Sequence, residues 1–144
     1  MDAAVEHAKL AAQPCTTRGL PLTGAAGWNS SLTAKLIEQA AALQVSHVVD
    51  ASVAAHLARA YGDRAPAVLS MAHRNGPRLL AAGWPVLDAE VTFCARTEFC
   101  STAVDFLARR SRLAFLDVVA ARQVRLNALS LTTACHLLLS LLSC

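Results

Sequence analysis

Aromatic residues are scarce, with four Phe, two Trp and one Tyr in 144 residues. Runs rich in Val, Ile or Thr are few as well, so the chain has little material for a β-sheet. Cysteine is sparse and odd in number: Cys15, Cys94, Cys100, Cys135 and Cys144. There is no CxxC pair and no His at zinc-finger spacing, which excludes a disulfide framework and a structural zinc. The thiols are expected to be free and packed as small hydrophobes. Charge of either sign is weak, at a formal +3. Residues 1–92 carry seven bases and seven acids, and the excess lies in residues 93–144, where six arginines face Glu98, Asp105 and Asp117. Such an excess does not imply a nucleic-acid partner. Residues 1–12 lack an apolar core and are poor in Arg and Ser, so the expectation is that the chain itself carries no targeting signal. No period of 20–50 residues repeats.

Chemistry-bearing patterns are also missing. Gly24-Ala25-Ala26-Gly27 is a bare GxxG with no hydrophobic strand before it, and reads as a turn rather than a dinucleotide loop. The histidines (His7, His47, His56, His73, His136) lack partners at metal-binding spacing on one helix face. No nucleophile, base and orienting group are legible together. The reading therefore names no catalytic residue, no metal ligand and no cofactor-binding residue.

What is abundant is Ala (30) and Leu (22), which make up 52 of 144 residues and are strong helix formers. A chain of this length can bury roughly 70% of its unfolded surface without staples. The expected fold class is all-α, a compact bundle of five to six short helices. Pro14 ends an Ala-rich start, and residues 14–28 hold two prolines and three glycines, so residues 1–28 read as a linker. Asn29 or Ser30 is placed to cap a helix over 32–44 with a Leu32, Leu36, Ile37, Leu43 stripe. Asp50 caps a helix over 51–61, and Gly62 suits a left-handed stop. Asp63 is expected to cap a helix over 64–74, with Pro66 in its first turn and Ala65, Val68, Leu69 and Ala72 buried. A helix over 88–97 follows. Thr102 and Asp105 resemble a capping box opening a helix over 103–110, with Val104, Leu107 and Ala108 facing inward. Asp117 caps a last helix. VSHVV at 45–49 is the only strand-like run and is too short for a sheet.

Three features admit a binding reading beside a structural one. Residues 51–74 look like a helix–turn–helix, yet the start of the second helix (Arg64, Ala65, Pro66, Ala67, Val68, Leu69) lacks the polar side chains that reach base edges. An αα-hairpin is the better reading. Arg109, Arg110 and Arg112 could grip an anion, or pair with Glu98, Asp105 or Asp117 at a helix end, which is favoured. The tail from Leu126 to Cys144 is uncharged over 19 residues, but Asn127, three serines, two threonines and His136 dilute it. A packed final helix or loose end is favoured over a membrane anchor.

Three ordered blocks carry a family likeness: residues 2–28, HLARAYGDRAPAVL at 56–69, and VLDAEVTFCARTEFCSTAVDFLARRSRLAFLD at 86–117. Together they span roughly residues 2–122. They resemble the C-terminal helical domain of FAD-dependent glycerol-3-phosphate dehydrogenases. The resemblance implies a parent that oxidises sn-glycerol 3-phosphate to dihydroxyacetone phosphate with bound FAD and passes electrons to a membrane quinone. It implies a peripheral protein of the mitochondrial inner membrane, a flavin domain that precedes and packs against the helical domain, and room for a homo-oligomer. FAD belongs to that preceding part, and none is expected to bind this chain alone. Residues 29–122 would be the helical domain and 123–144 a divergent apolar tail. Within the helical domain Tyr61, Asp63, Arg64, Asp105, Arg109 and Arg112 are expected to fix helix junctions. The alternative is a stand-alone helical binding module acting through the basic 109–125 face.

Overall fold

A computed structural model of the chain describes residues 2–9, 11 and 17–124. The described residues form helices and no sheet, as composition leads one to expect. The helices are α1 (Asp2–His7), α2 (Leu32–Ala42), α3 (Ala51–Tyr61), α4 (Ala65–Asn75), α5 (Asp88–Thr97), a π-helical turn (Asp105–Arg110), α6 (Leu113–Leu116), and α7 from 118 to the end of the described residues at 124. The 126–144 tail, for which a packed final helix or loose end was favoured over a membrane anchor, lies outside them. Among the described residues no helix is long and apolar enough to cross a membrane.

The core forms where α2, α3, α4 and α5 meet. α2 packs on α3 and α4, and α4 packs on both α3 and α5. Leu36, Val53, Leu57, Val68, Leu69, Leu87 and Phe106 are fully enclosed. The α4 face expected from spacing (Ala65, Val68, Leu69, Ala72) is buried throughout. VSHVV forms no strand. It turns between α2 and α3 and drops Val45 and Val49 into the core. The one extended pairing among the described residues is a single bridge between Leu79 and Leu87.

Local capping chemistry sets several boundaries. Asp50 accepts from the N–H of Ser52 at 2.8 Å and of Val53 at 2.9 Å, which opens α3. Asp117 accepts from the N–H of Ala120 at 2.9 Å and from Trp84 Nε1 at 3.3 Å, tying the 77–87 loop to α7. Thr102 and Asp105 form a reciprocal pair: Thr102 N–H donates to Asp105 at 3.0 Å, and Asp105 N–H donates to Thr102 Oγ1 at 3.1 Å.

The α2 cap differs from expectation. Asn29 accepts from the N–H and hydroxyl of Ser31, and Ser31 is the residue that flanks the helix. The expected inward face of the 103–110 segment is also displaced. Val104 is exposed, whereas Ala103, Phe106 and Leu107 are buried. The buried set keeps the helical i, i+3, i+4 spacing and starts one position earlier than expected. A wide turn closes the segment, with Ser111 N–H donating to Phe106 C=O five residues back.

Three carboxyls lie below their usual value of 3.8. The Ser52 hydroxyl chiefly lowers Asp50, the Thr102 hydroxyl chiefly lowers Asp105, and the Ala120 N–H with Trp84 lowers Asp117. A depressed carboxyl stabilises the fold above its unfolded value and loses that contribution as pH falls through the folded value. The urea midpoint should thus be flat from neutrality down to about pH 5 and fall below about pH 4. Replacing Asp50, Asp105 and Asp117 together with Asn should flatten that acid limb. An unchanged acid limb in the triple variant would contradict the assignment.

Candidate functional site

The densest polar arrangement lies where α3, α5 and the π-turn converge. Its centre is Glu90, which is only 2% exposed. A carboxylate so deep must be hydrogen-bonded on both oxygens. The Tyr61 hydroxyl donates to Oε2 at 2.9 Å, and His56 Nε2 lies 2.9 Å from the same oxygen. The N–H of Leu87 donates to Oε1 at 2.7 Å. Glu90 is the third residue of α5, so this last bond caps the helix start with an acid in the favourable first turn.

The network continues from Tyr61. Cys94 Sγ lies 3.5 Å from the Tyr61 hydroxyl and 3.3 Å from Glu98 Oε2, one turn further along α5. Glu98 is bridged by Arg64 at 3.5 Å and by Arg110 of the π-turn. The two guanidiniums also cap aromatic faces, Arg64 over Phe93 at 4.8 Å and Arg110 over Tyr61 at 5.8 Å. Tyr61 and Phe93 meet edge to face at 5.4 Å. Seven side chains (His56, Tyr61, Arg64, Glu90, Cys94, Glu98 and Arg110) are thus locked into one connected unit beside a cavity of about 110 Å³ lined by His56, Tyr61, Glu90, Phe106, Arg110 and Ser111.

Acid–base tuning here favours neutral, inert groups. Burial, then the Glu90 charge, pushes the Tyr61 phenol far above its usual range. Burial pushes the Cys94 thiol up to about 12 against the opposing pull of Tyr61 and Arg110. Relative to a thiol near 9, the thiolate at pH 8 is thinned roughly a thousandfold. Iodoacetamide should therefore modify Cys94 at a rate set by unfolding and quickly in denaturant. Rapid alkylation of Cys94 in the native chain would contradict the enclosed geometry.

A second junction joins the 20–28 segment to the α3–α4 corner. Gly24 and Gly62 cross backbone to backbone: a Cβ on Gly62 would lie 1.9 Å from Gly24 O, and one on Gly24 would lie 2.5 Å from Tyr61 O. Asp63 N–H donates to Gly24 C=O at 2.9 Å, and the Asp63 carboxylate accepts from Gly27 N–H at 2.9 Å. The expected capping of α4 by Asp63 does not occur. Gly62–Arg64 form a 3₁₀ turn, α4 begins at Ala65, and Asp63 serves the segment 36 residues earlier. Gly62 does take a positive φ of 56°, but its ψ of −131° lies outside the left-handed helical region.

The expected junction residues fall in three places. Tyr61 and Arg64 belong to the Glu90–Glu98 unit, and Asp63 to the glycine crossing. Asp105 pairs with Arg109 at 3.1 Å on the π-turn, apart from both. Arg112 adopts φ 58° just before α6, with its side chain exposed. His56, Glu90 and Cys94 were missed as junction residues, whereas the expected pairing of the 109–112 arginines with Glu98 and Asp105 is seen in Arg110–Glu98 and Arg109–Asp105. One signal for Glu90 was available: it lies between Ala89 and Val91, with Val86, Leu87, Phe93 and Cys94 three or four residues away at the spacing of one helical face, so its charge had to find partners inside. Among the described residues no group of three or more His, Cys, Asp or Glu could hold a metal ion.

The profile of the C-terminal domain of alpha-glycerophosphate oxidase matches residues 15–134. The mitochondrial glycerol-3-phosphate dehydrogenase SDP6 of Arabidopsis thaliana is 40% identical over 130 residues, covering 84% of this chain and 21% of its own length. The probable mitochondrial enzyme of Caenorhabditis elegans is 39% identical over 131 residues, covering 86% of this chain and 17% of its own. That of Mus musculus is 38% identical over 129 residues, with 85% and 17% covered. The chain thus spans about a fifth of the curated relatives it matches. No solved structure matches it. The match takes in all of the Glu90 unit and the glycine crossing, and on it the chain belongs to the alpha-glycerophosphate oxidase C-terminal domain family, alongside the mitochondrial glycerol-3-phosphate dehydrogenases.

Proposed function

We propose that the chain is the helical C-terminal portion of an FAD-dependent glycerol-3-phosphate dehydrogenase and that its own role is support and assembly. The whole enzyme would oxidise sn-glycerol 3-phosphate to dihydroxyacetone phosphate and pass the two electrons to a membrane quinone. FAD would supply the electron acceptor in the preceding flavin domain. The described residues suit such a group poorly. Gly24–Gly27 is a turn pinned on a helix corner, not a loop between strand and helix. The cavity beside Glu90, at about 110 Å³, is well below the roughly 300 Å³ at which ligand pockets begin, and the larger groove of about 450 Å³ along Val104, Leu107, Val118 and Ala121 is almost wholly apolar, with little to hold a pyrophosphate. No step of the oxidation is therefore assigned to these residues.

On the same reading the whole enzyme attaches peripherally to the mitochondrial inner membrane, and copies of the enzyme can associate. The observation that carries the reading is the match over residues 15–134. Replacing the C-terminal domain of the Arabidopsis relative with this chain should give an enzyme that retains flavin and oxidises sn-glycerol 3-phosphate. A well-expressed chimera lacking both would refute it. The alternative, a binding module using the basic 109–125 face, is weakened by the commitment of Arg109 to Asp105 and of Arg110 to Glu98. No shift of duplex DNA is expected at low salt.

A further inference from the structure

We infer that the apolar edge formed by Leu20, Leu22 and Trp28, with the groove behind it along the end of α3, is the surface on which the preceding catalytic part of the enzyme seats. The inference rests on the reading just given and adds to it the contact surface.

Leu20, Leu22 and Trp28 are 72%, 82% and 58% exposed. Isolated exposed apolar residues need no explanation, but three large ones fall within nine positions of one non-helical segment, and Leu22 and Trp28 border a common groove. Behind them lies a groove of about 260 Å³ lined by Leu22, Gly24, Trp28, Arg59, Tyr61 and Gly62.

The segment is nevertheless held in a defined shape. Ala25 N–H donates to Leu22 C=O at 2.9 Å and Trp28 N–H to Ala25 C=O at 3.2 Å. Gly24 and Gly27 are each bonded to Asp63. An ordinary surface loop turns its large apolar side chains inward and its backbone outward. Here the reverse holds: two glycines bring the backbone against α3, and the Leu and Trp side chains face out. Ordering of this segment is not driven by burial of its own side chains. A pre-shaped apolar edge suits docking because the partner need not also supply the ordering free energy.

Continuity identifies the occupant. The matched family is a C-terminal domain, and the match starts at residue 15. In relatives of about five times this length, the preceding polypeptide must reach the domain through this segment. The edge is the first surface it meets. The partner surface it fits is apolar, with an acceptor opposite Arg59. A second apolar groove, lined by Val104, Leu107, Val118 and Ala121 among others, lies far along the sequence and has no such continuity.

Hydroxyl-radical footprinting of the Arabidopsis chimera and of the 144-residue chain tests the inference. Labelling of Leu22 and Trp28 should fall about fivefold in the chimera, as befits side chains enclosed at an interface, with Phe115 unchanged. Replacing Leu22 and Trp28 with Ser should leave the unfolding midpoint of the isolated chain unmoved and should speed proteolysis between the two parts of the chimera. Equal labelling of Leu22 and Trp28 in a chimera that is active and holds flavin would overturn the surface while leaving the C-terminal reading intact. So would protection of these residues in the isolated chain by phosphatidylserine vesicles without protection in the chimera, since the edge would then face lipid. A chimera without flavin or activity removes the C-terminal reading, and the surface with it.

Discussion

Replacing Gly62 with alanine should lower the unfolding midpoint by roughly 10 °C, the largest effect expected of any one-methyl change in the chain. Two costs combine. A side chain at φ 56° and ψ −131° occupies a region that L residues scarcely populate, at about 1–3 kcal/mol. The new Cβ would also stand 1.9 Å from Gly24 O, where the obstacle is backbone and not a side chain able to swing aside. Overpacking of that kind adds roughly 1–3 kcal/mol. Relief requires the 20–28 segment to lift, which breaks the Asp63 N–H to Gly24 bond. Gly76 is the control. It also has a positive φ, of 80°, but a Cβ there meets nothing within 4 Å. Gly76→Ala should therefore carry the conformational cost alone, about 1–3 kcal/mol, without the overpacking. Hydrogen exchange at the Asp63 amide should rise sharply in Gly62→Ala and stay unchanged in Gly76→Ala. Equal midpoints for the two variants would mean that the crossing is not close.

Truncating Glu90 to alanine should be comparably damaging, at roughly 3–5 kcal/mol. The loss is more than that of a contact. The Tyr61 hydroxyl and the Leu87 N–H would both be stranded in a dry interior, and His56 would lose its acceptor. Glu90→Gln tests the same idea more gently. One end of the amide is a donor, so with its oxygen kept on the Leu87 N–H it no longer accepts from the Tyr61 hydroxyl, which must turn to accept instead. An intermediate cost of about 1–2 kcal/mol is expected. A double-mutant cycle with Tyr61→Phe isolates the direct bond, because removing the hydroxyl should make loss of Glu90 cheaper. Strict additivity of the two substitutions in urea unfolding would show that the bond carries no coupling.

Features written in local sequence were readable in advance, and those made by distant pairs were not. Asp50 and Asp117 announce helix starts because the N–H groups they satisfy lie two or three residues on. Thr102 and Asp105 work at the same range. The α4 core face follows from the 3.6-residue period. Asp63 looked like another such cap, and locally it could have been. Its partner is Gly27, and nothing in the sequence near Asp63 signals that. The Glu90 unit joins residues 29 to 34 apart, so only the apolar setting of Glu90 hinted at it. Val104 was misplaced because, at the entry to the π-turn, 103/106/107 and 104/107/108 fit the same helical spacing, and the buried face is the one that carries Phe106. Of the three neighbouring arginines, the one that reaches the buried unit, Arg110, is set by that same turn.

The central claim is that these residues make a scaffold of packed helices whose parent carries its redox chemistry elsewhere. Equilibrium dialysis of the purified 144-residue chain against FAD, read by flavin absorbance, tests it most directly. No flavin should be retained, and the unfolding midpoint should be unmoved by FAD. Stoichiometric flavin on the folded chain, with a raised midpoint, would contradict it.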